Sequence, residues 1–152
     1  MTYTNANARR LLGLFERMRA AKAGGVIARM QALNLSFSHI RALHLLATVP
    51  QLPMKELAEK LGFTPPSVTA LTRRLVATGM VQRQPNVHDS RVVLLSITEA
   101  GRTLIQEIYH EQLSGMERML DGLTLDEQQQ FLTLLERAVS TLLGEFPPQP
   151  TY

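Results

Sequence analysis

His88, Asp89 and Ser90 stand side by side and supply the three residue types of a hydrolytic triad. A triad works only when nucleophile, base and orienting acid converge in space from different directions. Three consecutive residues of one turn cannot line up that way, so hydrolysis is set aside. The histidines offer no metal site either. His39 and His44 are five positions apart, about 140° around a helix, whereas two ligands on one helix face need an i, i+4 spacing. His110 has Glu107 and Glu111 nearby, a combination common on any solvated helix. Neither catalysis nor a cofactor is expected, because no other set of residues suggests a convergent acid, base and nucleophile.

The same turn suits a different chemistry. Asn86, His88, Asp89 and Ser90 are turn formers, and Val92, Val93, Leu94, Leu95 and Ile97 follow as a β-strand spanning 91–97. Arg91 therefore sits at the tip of a two-stranded ribbon. A guanidinium there suits the minor groove of DNA, where narrow A·T tracts concentrate negative potential. Asp89 cannot attract DNA and reads as the holder of the Arg91 guanidinium through paired N–H···O bonds.

The elements around this tip follow from periodicity and caps. Apolar residues at helical spacing run through 8–33, interrupted at Gly24-Gly25. Ser36 caps a helix carrying Ile40, Leu43 and Leu46 that ends at Val49-Pro50, and Pro53 opens a short helix stopped by Gly62. Thr64 then caps a helix over "PPSVTALTRRLVAT", with Val68, Leu71 and Leu75 at i, i+3 and i+7 as its buried stripe. Ser67, Thr69, Ala70, Arg73 and Arg74 are left outside, and the free amides of the helix start favour a phosphate. A strand from Met80 leads to the ribbon tip. Thr98 caps a long helix broken at Gly122, and Thr124 with Glu127 makes a capping box for the last one. The fold class predicted is mainly α with a small β-hairpin: three or four helices, a helix-turn-helix among them, then the hairpin and two long helices. Small hydroxyls near the start of the second helix of such a pair admit it to the major groove, where arginines reach bases or phosphates.

The stretch "ELAEKLGFTPPSVTALTRRLVATGMVQRQPNVHDSRVVLLSITEAG" resembles the DNA-binding core of the MarR family of bacterial regulators. The specific signals are Asp-x-Arg at 89–91 before "LLSITEAG", and "GMVQR" after the recognition helix; the likeness is strong over roughly 53–103. It implies a winged helix-turn-helix repressor, homodimeric through its terminal helices and bound to a palindromic operator. Thr64, Ser67, Thr69 and Arg74 fall on recognition-helix positions, and Arg91 on the wing arginine. Arg73 and Asp89 complete the expected DNA-binding set. Ala70 and Ser90 stand where relatives often carry arginine, and Arg73 where an acid is common, which points base reading toward Arg73. Relatives often bind small aromatic anions in a cleft between the helix after Ser36 and the long helix; here His39, Arg41, His44 and Tyr109 are the candidates. On this layout 34–98 form the DNA-binding lobe of one domain, and 1–33 with 99–146 form the dimerisation helices.

Charge and composition agree with a polyanion partner. Residues 1–52 hold seven Lys/Arg against Glu16 alone, 53–97 hold six against three acids, and 98–152 hold three against nine. Such asymmetry suits DNA for the middle and mutual attraction between the ends. The chain has no cysteine, which excludes disulfides and thiolate metal sites. No apolar run is long enough to span a bilayer and no signal-peptide core is present, so a reduced cytoplasm is the expected compartment. Leu104, Ile105, Ile108, Leu113, Met116, Leu134, Leu135 and Leu142 offer more apolar surface than two lone helices can hide, which favours a second copy. A winged helix that binds other proteins is the alternative; its outer helix face would be apolar or acidic rather than carrying Arg73 and Arg74.

Overall fold

The computed structural model describes residues 2–21, 25–89 and 91–145. Its elements are α1 (Thr2–Ala21), α2 (Gly25–Ala32), α3 (Phe37–Ala47), β1 (Leu52–Pro53), α4 (Met54–Leu61), α5 (Pro65–Ala77), β2 (Val81–Pro85), β3 (Val93–Ile97), α6 (Glu99–Leu120) and α7 (Leu125–Leu143). Of the interruption expected at Gly24-Gly25, Gly24 lies outside the described residues, and Gly25 opens α2. No helix among the described residues is long and apolar enough to cross a membrane.

Two compact units divide the chain, Met1–Glu111 and Gln112–Tyr152. In the first, α3 packs on β3, α4 and α5, and its Ala42, Leu43 and Leu46 are fully buried. The helix-turn-helix forms because Gly62, at φ +69°, stops α4 in the left-handed region that costs glycine little. Thr64 in extended geometry then starts α5 ahead of Pro65, whose ring already has a helical φ. The sheet has the order β1-β3-β2, all antiparallel, with Val81 opposite Ile97 and Pro85 opposite Val93. Strand β1 is not foreseen by the sequence pattern. Leu52 pairs with Leu95 and Pro53 with Leu94, so Pro53 both ends a strand and occupies the N-cap position of α4.

Helix α6 joins this unit at a tight crossing. The Thr98 hydroxyl donates to the Gly79 carbonyl at 2.7 Å and accepts from the Gly101 amide at 3.1 Å, so it caps the helix as expected. The Thr98 amide donates to the Met80 carbonyl at 3.0 Å. Leu104 is 0% and Ile108 6% exposed, with Ile105 packed against the same core. The expectation that these three form free apolar surface is thereby corrected: the first half of α6 completes the core of the first unit. In the second unit no residue of α7 is buried, and Leu134 and Leu142 are 61% and 84% exposed. The Thr124–Glu127 capping box is present, and the Gln128 amide clips the preceding turn by donating to the Leu120 and Leu123 carbonyls.

A β-carbon at Gly101 would lie 2.4 Å from the Met80 carbonyl oxygen and 2.7 Å from Ile97, while one at Gly115 meets nothing within 4 Å. Gly101→Ala is therefore expected to destabilise the fold by about 1–3 kcal/mol or more through overpacking against backbone. Gly115→Ala should instead stabilise by roughly 0.5–1 kcal/mol as a helix-interior glycine replaced. Denaturant midpoints of the two variants check this, and equal effects would show that the crossing is not tight.

Candidate nucleic-acid interface

Helix α5 divides sharply between core and solvent. Val68, Leu71 and Leu75 are buried as expected, and Thr72 joins them at 0% exposure. The Thr72 hydroxyl is hidden at little cost because it donates to the Val68 carbonyl at 2.8 Å. Outside, Ser67, Ala70 and Arg73 are exposed and Thr69 is half-buried, with no acid anywhere in the helix. The Thr64 and Ser67 hydroxyls lie 2.9 Å apart, and the Thr69 hydroxyl donates to the Pro65 carbonyl at 2.8 Å. Thr69 thus keeps its oxygen as an acceptor while its proton stays within the helix.

The helix start differs from the expectation of a phosphate on free amides. Pro65 and Pro66 have no N–H, and the Val68 amide closes on the Thr64 carbonyl at 3.0 Å. The first turn is left with the Ser67 amide, so the helix-end anion site is largely emptied by its own sequence. Arg73 and Arg74 also part company. Arg73 is exposed, whereas half-buried Arg74 donates from Nε to the Leu33 carbonyl at 3.0 Å.

The ribbon tip is ordered by side chains acting on backbone. Asn86 Oδ1 accepts from the His88 amide at 2.8 Å, and Asp89 Oδ1 accepts from the Arg91 amide at 3.0 Å. The Val92 amide closes on the Asp89 carbonyl at 3.0 Å, and the Asn86 amide on the Val92 carbonyl at 2.9 Å. These are Asx-type turns. The reading of Asp89 as holder of the Arg91 guanidinium is corrected accordingly: Asp89 holds the Arg91 backbone. Ion pairs among the described residues join Arg29 to Glu107 and Lys60 to Glu56. A carboxylate two residues before an amide reaches that N–H more readily than the end of a long arginine, which is left exposed. Ser90 lies outside the described residues. Two exposed ribbon residues are missing from the sequence-based expectation, Arg83 on β2 and Val87 at the tip, 91% exposed. An apolar residue between turn formers was the available signal for Val87; for Arg83 it was a strand whose outer positions are all polar or Pro.

The candidate ligand group is spread over two helices. Arg41 and His44 are exposed on α3 and Tyr109 on α6, its ring edge-on to His110. None of the four candidates lines the recess of about 430 Å³ between α4 and α5, which Met54, Ala58, Phe63, Val68 and Thr69 border. His39 has local work. Its Nδ1 accepts from the Ser36 amide at 3.0 Å and lies 2.8 Å from the Ser36 hydroxyl, capping the start of α3. Burial, and secondarily the charge of Arg74, hold His39 below its ordinary value near 6.5.

Because accepting at Nδ1 requires the neutral ring, protonation favours the unfolded chain. The His39 contribution to stability is complete above about pH 6.5 and is lost as pH falls below it toward the folded value. Unfolding midpoints between about pH 7.5 and pH 5 should fall more for wild type than for His39→Gln, which keeps an acceptor without titrating. Identical pH profiles would exclude His39 as the source.

Residues 33–92, from the end of α2 through the ribbon tip, match the model of the MarR family. The HTH-type transcriptional repressor Rv2887 of Mycobacterium tuberculosis is 28% identical over 124 residues, covering 82% of this chain and 89% of the relative. YusO from Bacillus subtilis shares the fold at a TM-score of 0.78 and 23% identity, over 90% of this chain and 94% of that one. The S. aureus MepR–DNA complex does so at a TM-score of 0.69 and 18% identity, over 88% of this chain and 96% of that one. A helix-turn-helix whose second helix is free of acids, followed at once by an antiparallel ribbon, is the arrangement of this chain, and residues 33–92, which take in the helix-turn-helix, β2 and the ribbon tip, are similar to the MarR family.

Proposed function

We propose that the protein is a homodimeric repressor of a palindromic operator, with α5 in the major groove, the wing in the minor groove, and release by a small aromatic acid. One observation carries the DNA-reading part. The exposed side of α5 offers Ser67, Ala70 and Arg73 without a single acid, and the neighbouring ribbon presents Arg83 and Arg91. A narrow helix face of small groups fits a groove about 12 Å wide, and arginines beside it supply base-edge and phosphate contacts. Arg73 is the base-reading candidate, with Thr64, Ser67 and Thr69 near the helix start. Asp89 acts by shaping the tip from which Arg91 extends. That Rv2887 is named a repressor and that the MepR structure is a DNA complex support the same reading.

Assembly is inferred from what each unit leaves uncovered. Helix α1 exposes Leu11, Leu12, Leu14 and Phe15, and α7 exposes Leu134, Leu135, Val139 and Leu142. A second copy that covers such faces places two recognition helices about one turn of DNA apart. Effector control rests on Arg41, His44 and Tyr109, cationic or titratable groups with one aromatic ring, suited to an aromatic carboxylate. A ligand there acts only by binding one arrangement of the dimer better than another.

Sequencing genomic fragments selected by the purified protein identifies the operator. On that site, log K against log salt is expected to fall with a slope of about −5 to −9, for about 3–5 phosphates neutralised per subunit. Arg91→Ala should cost about 1–3 kcal/mol of operator binding with the fold intact, and Asp89→Ala less. A flat salt dependence, with both variants binding like wild type, would remove the DNA-reading wing.

Light scattering at micromolar concentration should give a dimer, and Leu134→Glu with Leu142→Glu should shift it toward monomer. Titration with phenolic and benzoic acids should weaken operator binding about 5–150-fold for the right ligand. A wild-type monomer would sink the assembly, and no response across a broad set of such acids would sink the effector.

A further inference from the structure

Helix α2 has eight residues and cannot hold its shape by its own hydrogen bonds alone. Each of its ends meets a charged side chain from another element. Near its start, the Val26 amide donates to Glu111 Oε2 of α6 at 3.0 Å. One turn on, the Arg29 guanidinium pairs with Glu107, also of α6. At the far end, Asn34 adopts φ +51°, the Leu35 amide returns to the Met30 carbonyl at 2.8 Å, and the Asn34 amide to that of Gln31 at 2.9 Å. This Schellman closure uses two of the helix's last carbonyls and leaves the one at Leu33 for an outside donor. That donor is Arg74 Nε of α5, 3.0 Å away and 41 positions along the chain.

The match is favourable in charge at both ends. A carboxylate meets the amide end of α2 and a guanidinium meets its carbonyl end, the polarity that the helix dipole prefers. Both bonds are charge-assisted and partly shielded from water. Adjacent residues on α5 are about 100° apart around the helix, so Arg73 faces solvent while Arg74 turns back to α2. A phosphate bound by the Arg74 Nε would break its bond to Leu33 and strip a helix end of its partner.

We propose that Arg74 is a positioning residue for DNA reading: it ties the recognition helix to α2, and Glu107 and Glu111 tie α2 to α6. This rests on the DNA-reading role of α5 proposed above. Base reading demands placement within about 0.5 Å, and this chain of bonds gives α5 a brace along the flank of its apolar stripe. It also makes two carboxylates of α6 contributors to operator affinity.

The test uses a duplex that the wild-type protein selects from a random-sequence pool, with affinity measured across a salt series. Wild type is compared with Arg74→Gln, Arg74→Lys, the Glu107→Gln/Glu111→Gln variant and the Arg74→Gln combination with it, at a temperature where circular dichroism shows each folded. Arg74→Gln and the double glutamate variant should each weaken binding about ten-fold, the order of one charge-assisted hydrogen bond. The salt slope should stay at the wild-type value, and the combined loss should be smaller than the product of the two. Arg74→Lys keeps the charge but not the Nε donor, and should behave like Arg74→Gln. A salt slope shallower by about 0.9 for each phosphate no longer neutralised, a lysine variant equal to wild type, or silent glutamate variants would overturn the proposal in favour of direct phosphate binding. A wild-type protein that selects no duplex would instead overturn the DNA-reading role itself.

Discussion

The crossing of α6 over the Gly79–Met80 turn is the constraint on which the placement of α5 and the ribbon depends. Thr98 binds the Gly79 carbonyl through its hydroxyl and the Met80 carbonyl through its amide, and Gly101 lies where even a methyl group cannot fit. Gly79 itself takes φ +72°, which lets the chain leave α5 and enter β2 across three residues. The recognition helix, the first strand of the wing and the start of the long helix therefore meet at one point. Movement at any of the three must be accommodated by the other two, because close-packed interiors transmit strain.

Polarity on α5 follows from the same economy. The buried side needs Val68, Leu71, Thr72 and Leu75, so outward-facing groups are confined to the remaining positions. Two prolines at the start fix the entry direction, since their φ is preset, but they remove amides that would otherwise bind an anion. In the proposed DNA-reading role, anion attraction falls instead to the exposed guanidinium groups of Arg73, Arg83 and Arg91, a type of group that reaches further and also suits base edges. On the wing, Asn86 and Asp89 direct their acceptors to the His88 and Arg91 amides. Asp89 is therefore a structural acid near a proposed polyanion site: its repulsion is tolerated because it stiffens the tip.

Much of this is legible in the sequence alone, for local reasons. Caps at Thr64, Thr98 and Thr124, stops at Gly62 and Gly79, and the stripe at 68, 71 and 75 all depend on residues within one or two turns of each other. What escapes depends on distant partners. Strand β1 is two residues long and exists only because Leu95 and Leu94 lie alongside. Arg74 looks like Arg73 in sequence, and only the approach of Leu33 tells them apart. Leu104 and Ile108 are four apart and Leu113 and Met116 three apart, both helical spacings, yet the first pair faces a core and the second pair is less buried. Periodicity identifies an apolar stripe without saying where its covering ends.

That last ambiguity bears on how the chain is stabilised. Along α6 the burial fades after Ile108, and along α7 it never begins, although α7 keeps a full apolar stripe and a well-made capping box. Good caps and periodicity give a helix its shape but contribute little stability when the apolar stripe stays in water. Large contiguous apolar patches are uncommon on proteins that remain monomeric. The basic first third and the acidic last third of the chain add a charge pattern that two copies related by a two-fold axis can satisfy, the basic end of each against the acidic end of the other. In the homodimer proposed above, the folding of α7 and the association of two chains are then one process, and stability becomes a function of protein concentration. The ribbon and α5 belong to a core that closes within one chain; in the proposed homodimer their spacing on DNA belongs to the pair.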